Sequence, residues 1–213
     1  MLRLYDYLPS QNAWKVRLLL SHLGFAYERV PVSIFEGESR SDAYLEKNPV
    51  GAVPVLEVGP GRYIAESNAI LCYLAEGTAY LPTDRFERAQ VMQWLFFEQS
   101  YVEPQIGSLR YWTLTGKLGR RSADMIEVKR ACSLRALAAL ERHLAHRTFL
   151  VAARYTIADM AVYAYAAHAD EAGLDLEPYP GFRAWTARVE AQPGFLGERF
   201  PYSIDPHADR ELG

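Results

Sequence analysis

The stretch Asn48-Pro49-Val50-Gly51-Ala52-Val53-Pro54-Val55-Leu56 decides how the chain is read. Pro54 stands inside a run of strand character, where its missing N–H interrupts a ladder. A cis Val53-Pro54 bond resolves the conflict by turning the chain just before a strand begins. That geometry leaves the backbone N–H and C=O of Val53 facing outward, where an extended ligand can pair with them as an added strand does. Further on, Glu66-Ser67-Asn68-Ala69-Ile70-Leu71 reads as a strand end running into a helix, whose first N–H groups suit a carboxylate. Together the two stretches predict a place to hold a small peptide.

Upstream, Leu2, Leu4, Tyr5 and Tyr7 predict a first strand, and Leu8-Pro9-Ser10-Gln11 a loop. Ala13, Val16, Leu19, Leu20 and Leu23 keep helical spacing from Asn12 to Leu23, and Gly24 ends the helix. Tyr27–Val32 is a second strand, so strand, helix and strand make a parallel crossover unit. Asp42–Lys47 predicts a short helix. After Pro54, Val55–Val58 and Tyr63–Ala65 form an antiparallel hairpin about Gly59-Pro60-Gly61, and Ser67 is expected to cap a helix that reaches Glu76. The fold class is thus α/β plus all-α: βαβ, a linking helix and ββα over residues 1–77, a linker at 78–86, and helices over 87–213.

In the second part, Arg85–Tyr101 is a long aromatic-rich helix that Pro104 is expected to bend or interrupt. In Arg121–His146 the residues Met125, Val128, Leu134, Leu137, Leu140 and Leu144 predict a core-facing helix. Thr156-Ile157-Ala158-Asp159 resembles a capping box opening a buried helix to about His168. Phe182, Trp185 and Val189 mark a last helix, and the tail from Pro201 onward is polar, with no structure assigned to it.

The 213 residues are 50% hydrophobic and 23% charged, the balance of a folded globular protein. With 26 acidic and 23 basic residues the formal charge is -3, which speaks against nucleic acid or an anionic membrane as partner. Cys72 and Cys132 have no metal-type spacing and are expected to be buried and reduced, and no metal is expected. The chain has neither a signal-peptide pattern nor an apolar run near the ~20 residues of a membrane span, so a cytoplasmic location is expected.

Four motifs in order carry a resemblance: Ser10-Gln11-Asn12-Ala13-Trp14-Lys15-Val16-Arg17, Asn48 to Pro54, Glu66-Ser67-Asn68-Ala69-Ile70, and Tyr155-Thr156-Ile157-Ala158-Asp159. Across nearly its whole length the chain resembles the cytosolic glutathione transferase superfamily, and its first motif is most similar to the serine-using theta and zeta classes. The resemblance implies a thioredoxin-like N-terminal domain, an all-helical C-terminal domain and a homodimer. It also implies glutathione as co-substrate, conjugated to a small apolar electrophile in a detoxification reaction. A glutathione-dependent isomerase, peroxidase or disulfide reductase is the enzymatic rival, and a non-catalytic binding or assembly module the rival of another class.

On that resemblance Ser10 donates its hydroxyl to the glutathione sulfur, aided by the positive end of the following helix. Either Ser10 or Asn12 also serves as an ordinary cap, and Asn12 competes for the sulfur contact. The zeta pattern has further Ser and Cys residues where this chain has Gln11 and Asn12, a departure that weakens the zeta isomerase reading. By the same resemblance Val53, set by Pro54, pairs with the cysteinyl backbone. Ser67 holds the γ-glutamyl carboxylate, Glu66 sits near its amine, and Arg40 lies near the glycyl carboxylate. The electrophile is expected between Leu8-Pro9 and a wall of Ser108, Tyr111 and Trp112. Asp159 serves folding.

Overall fold

Alternation along Leu2–Asp6, the strand β1, sets the first unit: Leu4 and Asp6 are fully buried on one face, and Tyr5 points to the other. In the computed structural model, which describes residues 1–212, β1 is followed by α1 (Gln11–Leu23), β2 (Tyr27–Pro31), α2 (Asp42–Leu45), β3 (Val55–Gly59), β4 (Arg62–Ile64) and α3 (Ser67–Ala75). The sheet order is β2-β1-β3-β4, with β1 parallel to β2 and antiparallel to β3, and β3 antiparallel to β4. Helices α1 and α3 pack together, burying Val16, Leu19, Leu20, Ile70 and Leu71. Val32, Tyr44 and Val55 form a second cluster with Tyr5, Val53, Tyr63 and Ala65. Gly24 ends α1 in the left-handed conformation that costs glycine least.

The second unit is helical: α4 (Arg85–Phe97), a π-helical segment (Glu98–Gly107), α5 (Ser108–Leu114), α6 (Ala123–Leu144), α7 (Ile157–Ala166) and α8 (Pro180–Glu190). Helix α7 is buried at all positions except Tyr165, and Phe182, Trp185 and Val189 of α8 are fully buried. Among the described residues no helix is long and apolar enough to cross a membrane.

Four expectations need correction. Ser67 is the first residue of α3 rather than its cap; the cap position belongs to Glu66. Pro104 interrupts the α-helix, as expected, without ending the chain's helical course. The turns around it widen to π geometry and run on into α5, which accommodates a ring that would collide with the carbonyl four residues earlier in an α-helix. Of the six residues expected on the core face of α6 only Leu137, Leu140 and Leu144 are buried, whereas Met125, Val128 and Leu134 are exposed. At about 100° per residue Val128 falls roughly opposite Leu137, so three- and four-residue steps drifted off one stripe. Both cysteines are free, yet half-buried rather than buried.

The fourth correction concerns the tail, which does not belong with the helices. Met1–Glu76 and residues 194–212 form one compact unit and Gly77–Pro193 the other. The Trp14 indole donates to the Leu196 carbonyl at 3.0 Å, Phe195 meets the Trp14 ring edge-on, and the Ser21 hydroxyl donates to the Gly194 carbonyl. Beyond a turn at Tyr202–Ile204, Asp205 accepts from the Ser33 hydroxyl and His207 pairs with Glu36.

Candidate functional site

Ser10 sits where β1 has ended and α1 begins. Its extended backbone ends the Tyr7–Pro9 turn, and its Oγ accepts the Ala13 N–H at 3.3 Å. It is therefore an N-cap. Capping uses only a lone pair of the oxygen, and the Ser10 hydroxyl proton has no acceptor among the described residues. A donor is thus left available at the positive end of a thirteen-residue helix.

The Val53-Pro54 bond is cis. The loop before it is pinned from several sides. Buried Tyr44 and Asn48 both donate to the Ala52 carbonyl, at 2.9 and 2.8 Å, and Asn48 Oδ1 accepts the Val50 N–H. Burial pushes the Tyr44 hydroxyl well above its usual range, which keeps it a donor. Gly51 has φ +69°, and a Cβ there would stand 2.7 Å from the Ser39 carbonyl oxygen. Arg40 donates to the Val50 carbonyl at 2.6 Å and is otherwise exposed. Val53 precedes the first ladder pair of β3, Val55 with Tyr5, and no backbone–backbone bond joins it among the described residues. Its peptide groups are in the state a strand-like ligand needs.

Glu66 is exposed, with φ 64° and ψ 110° at the N-cap of α3, a conformation that costs a non-glycine residue of order 1–3 kcal/mol. The strained turn delivers Ser67 to the helix start, where its hydroxyl donates to Asn12 Oδ1 at 3.1 Å. One α1 turn on, fully buried Lys15 donates to Asn68 Oδ1 at 3.2 Å. These two bonds lock the N-terminal turns of α1 and α3 together. Sequence reading missed Lys15 altogether, since a lysine among the apolar residues of α1 gives no sign that it is buried. The strain at Glu66 also has no signature in composition.

The structure therefore ties Asn12 to Ser67 within one polar cluster, with Ser10 two residues earlier as the N-cap of α1. Cis-Pro54 sets the Val53 edge, and Arg40 braces the loop before it. Leu8 is half-buried, with its carbonyl accepting from Arg17, and Pro9 is buried. In the helical unit the three residues expected to form the electrophile wall have separate partners. The Ser108 hydroxyl donates to the Pro104 carbonyl at 2.8 Å, and Tyr111 accepts from buried Lys117 at 2.7 Å. Trp112 lies under Arg121 and Lys129. Two cavities of that unit, of about 280 and 290 Å³, lie beside Thr148 and are lined by none of the three.

Asp159 has the folding role expected of it, and more. Thr156 and Asp159 form a reciprocal capping box, while Asp159 Oδ1 also accepts the Leu150 N–H and the Trp185 indole N–H, both at 2.9 Å. Burial pushes the carboxyl up to about 6, against the downward pull of those hydrogen bonds.

Comparison with known proteins is consistent along the chain. Residues 1–76 match the family model "Glutathione S-transferase, N-terminal domain", and residues 125–188 match "Glutathione S-transferase, C-terminal domain". A solved structure described as a possible glutathione S-transferase from Rhodopseudomonas palustris superposes with TM-score 0.88 at 44% identity, covering 92% of this chain and 96% of that one. Elongation factor 1-gamma of Artemia salina is 32% identical over 181 residues, 81% of this chain but only 40% of the factor. The chain thus spans less than half of that relative. Disulfide-bond oxidoreductase YfcG of Escherichia coli (strain K12) is 27% identical over 91% of this chain and 92% of its own length.

Proposed function

Because the chain belongs to the glutathione S-transferase family, we propose that it binds glutathione against α1, Val53 and the start of α3, and adds the thiolate to an apolar electrophile. The observation that carries the reading is the Ser10 hydroxyl, capping α1 through its oxygen while its proton stays uncommitted. A free thiol has pKa ~8.5, and each unit of depression is worth about 1.4 kcal/mol in favour of thiolate. Donation from Ser10 and the helix N-terminus supplies that preference without a general base. Asn12 serves as a positioning residue through Ser67, whose backbone N–H at the helix start receives the γ-glutamyl carboxylate. Glu66 faces the γ-glutamyl amine and Arg40 the glycyl carboxylate. Leu8 and Pro9 remain the proposed surroundings of the electrophile in the first unit.

The protein acts as a homodimer. The family supports this reading, and Phe86 and Phe96 of α4, Tyr101 beyond it, and Met125 and Val128 of α6 are exposed apolar side chains that a second copy would cover. Sedimentation of a monomer at micromolar concentration would refute this.

Ser10→Ala tests the chemistry. Ultraviolet titration of bound glutathione should give a higher thiol pKa in the variant, with folding retained; identical titrations would reduce Ser10 to a cap. The likeness to a disulfide-bond oxidoreductase favours a second reading, in which the same thiolate attacks a disulfide. No cysteine precedes Cys72, so the sulfur in that chemistry would also be glutathione's. Turnover with a disulfide but with no carbon electrophile would select this reading, and glutathione binding without any turnover would select a non-catalytic module.

A further inference from the structure

The cavity of about 280 Å³ beside Thr148 has no part in the glutathione reading. It lies within the helical unit, among α4, the end of α6 and the loop leading to α7, and its size is close to the lower range of small-ligand pockets. Its polar lining is Gln90, His143, His146, Arg147 and Thr148, with no carboxylate among them. Glu87, one turn before Gln90 on α4, pairs with Arg154 at 2.9 Å. Positive charge therefore prevails in the cavity.

Several donors of this lining are uncommitted. One Arg147 nitrogen donates to the His143 carbonyl at 3.1 Å, as a cation at a helix C-terminus should, and its other N–H groups have no acceptor among the described residues. The Gln90 amide and the Thr148 hydroxyl have no partner there either. Ala152 and Ala153, at φ 54° and 52°, add two successive N–H groups without acceptors, and such groups in a turn make an anion-binding concavity. The frame around these donors is fixed. Arg188 donates to the Thr148 and Arg147 carbonyls at 2.9 and 3.3 Å, and His143 Nε2 donates to the Leu150 carbonyl at 2.9 Å. Burial, aided by the charge of Arg147, holds His143 below its ordinary pKa, so its ring is neutral at pH 7 and Arg147 supplies the fixed positive charge.

We infer that this cavity binds a small organic anion, its carboxylate or phosphate group on Arg147, Thr148, Gln90 and the N–H groups of Ala152 and Ala153, its apolar body against the half-buried Phe149 ring. Arg147 and Thr148 are exposed, so a ligand reaches them without any movement of the core. Charge-assisted hydrogen bonds are roughly twice as strong as neutral ones, and a neutral molecule of the same shape gains none. The same contacts give a use to a turn that two alanines occupy at a steric cost glycine would not incur.

The test is calorimetric titration of the full chain with benzoate, phenyl phosphate and benzyl alcohol. At least one of the two anions should bind, and the alcohol about tenfold more weakly or not at all. Benzoate binding alone would name a carboxylate as the ligand group, and phenyl phosphate alone a phosphate ester; either supports the site. Arg147→Gln keeps an amide donor for the His143 carbonyl and removes only the charge, so it should weaken binding about tenfold or more while the end of α6 stays capped. Ala153→Asp sets a carboxylate on the exposed turn, at a φ that aspartate tolerates, and should abolish binding. Circular dichroism checks that both fold; if Arg147→Gln does not, Ala153→Asp alone decides. No heat from either anion, equal affinity for anion and alcohol, or anion binding unchanged in either folded variant would each overturn the proposal.

Discussion

Replacing Asp159 by alanine should cost far more than an ordinary helix cap. A lost cap alone is worth about 0.5–2 kcal/mol. In this fold, however, the Asp159 carboxylate accepts from Leu150 N–H, Thr156 N–H and the Trp185 indole, all deeply buried, besides the Thr156 hydroxyl. Alanine strands three N–H donors. At about 1–2 kcal/mol for each unsatisfied group the loss is roughly 3–6 kcal/mol. For a chain of this size that lowers the melting midpoint by roughly 10 °C or more. Guanidinium unfolding, followed by tryptophan fluorescence, measures it. Trp185→Phe removes only one of the bonds, and the double variant should lose less than the sum. A loss below about 2 kcal/mol for Asp159→Ala would refute the idea that one carboxylate ties three segments together, and leave a simple cap. Asp159→Asn adds a pH test. The folded carboxyl titrates at about 6, above the ~3.9 of an unfolded aspartate. The folded state therefore holds a proton that the unfolded chain has lost, and the Asp159 contribution falls as pH rises through that window and is level above it. The stability difference between wild type and Asp159→Asn should shrink by the same course; a difference independent of pH would contradict it.

Ser67→Ala should weaken glutathione binding in calorimetry and loosen the α1–α3 contact by removing the bond to Asn12, whereas unchanged affinity would place the carboxylate elsewhere. Gly51→Ala should destabilise by about 2 kcal/mol or more, since it combines positive φ with a backbone clash at Ser39; an unshifted denaturation midpoint would show that the loop before Pro54 gives way. Ala152 and Ala153 form a tight turn between Val151 and Arg154 at φ 54° and 52°, and both are exposed. Ala153→Gly should therefore stabilise the protein by about 0.5–1 kcal/mol, and a lower melting temperature would refute that strain.

Local chemistry made the order of elements legible. Glycine and proline punctuated the first unit, apolar periodicity marked α1 and α7, and Thr156 with Asp159 announced a cap that the structure forms as read. The conflict at Pro54 was itself informative, because a proline in a strand-like run has few conformational outlets, and the bond is cis. Of the candidate site, Ser10 could be read as both cap and donor, but its uncommitted proton could not. The split of the α6 residues into exposed Val128 and buried Leu137 also escaped the pattern, because spacing names a stripe without naming what packs on it.

What the sequence alone determined is therefore the set of elements, the family and the types of group around the site, all consequences of residues a few positions apart. Only the tertiary structure decided that the tail returns to the first unit, that Lys15 is buried on Asn68, that Glu66 is strained ahead of Ser67, and that Asp6 keeps an oxygen without a donor. Each of these depends on contacts between distant parts of the chain, or on how a turn must bend to make them. Burial and hydrogen-bond satisfaction are properties of surroundings, and a side chain's surroundings are assembled only when the chain has folded.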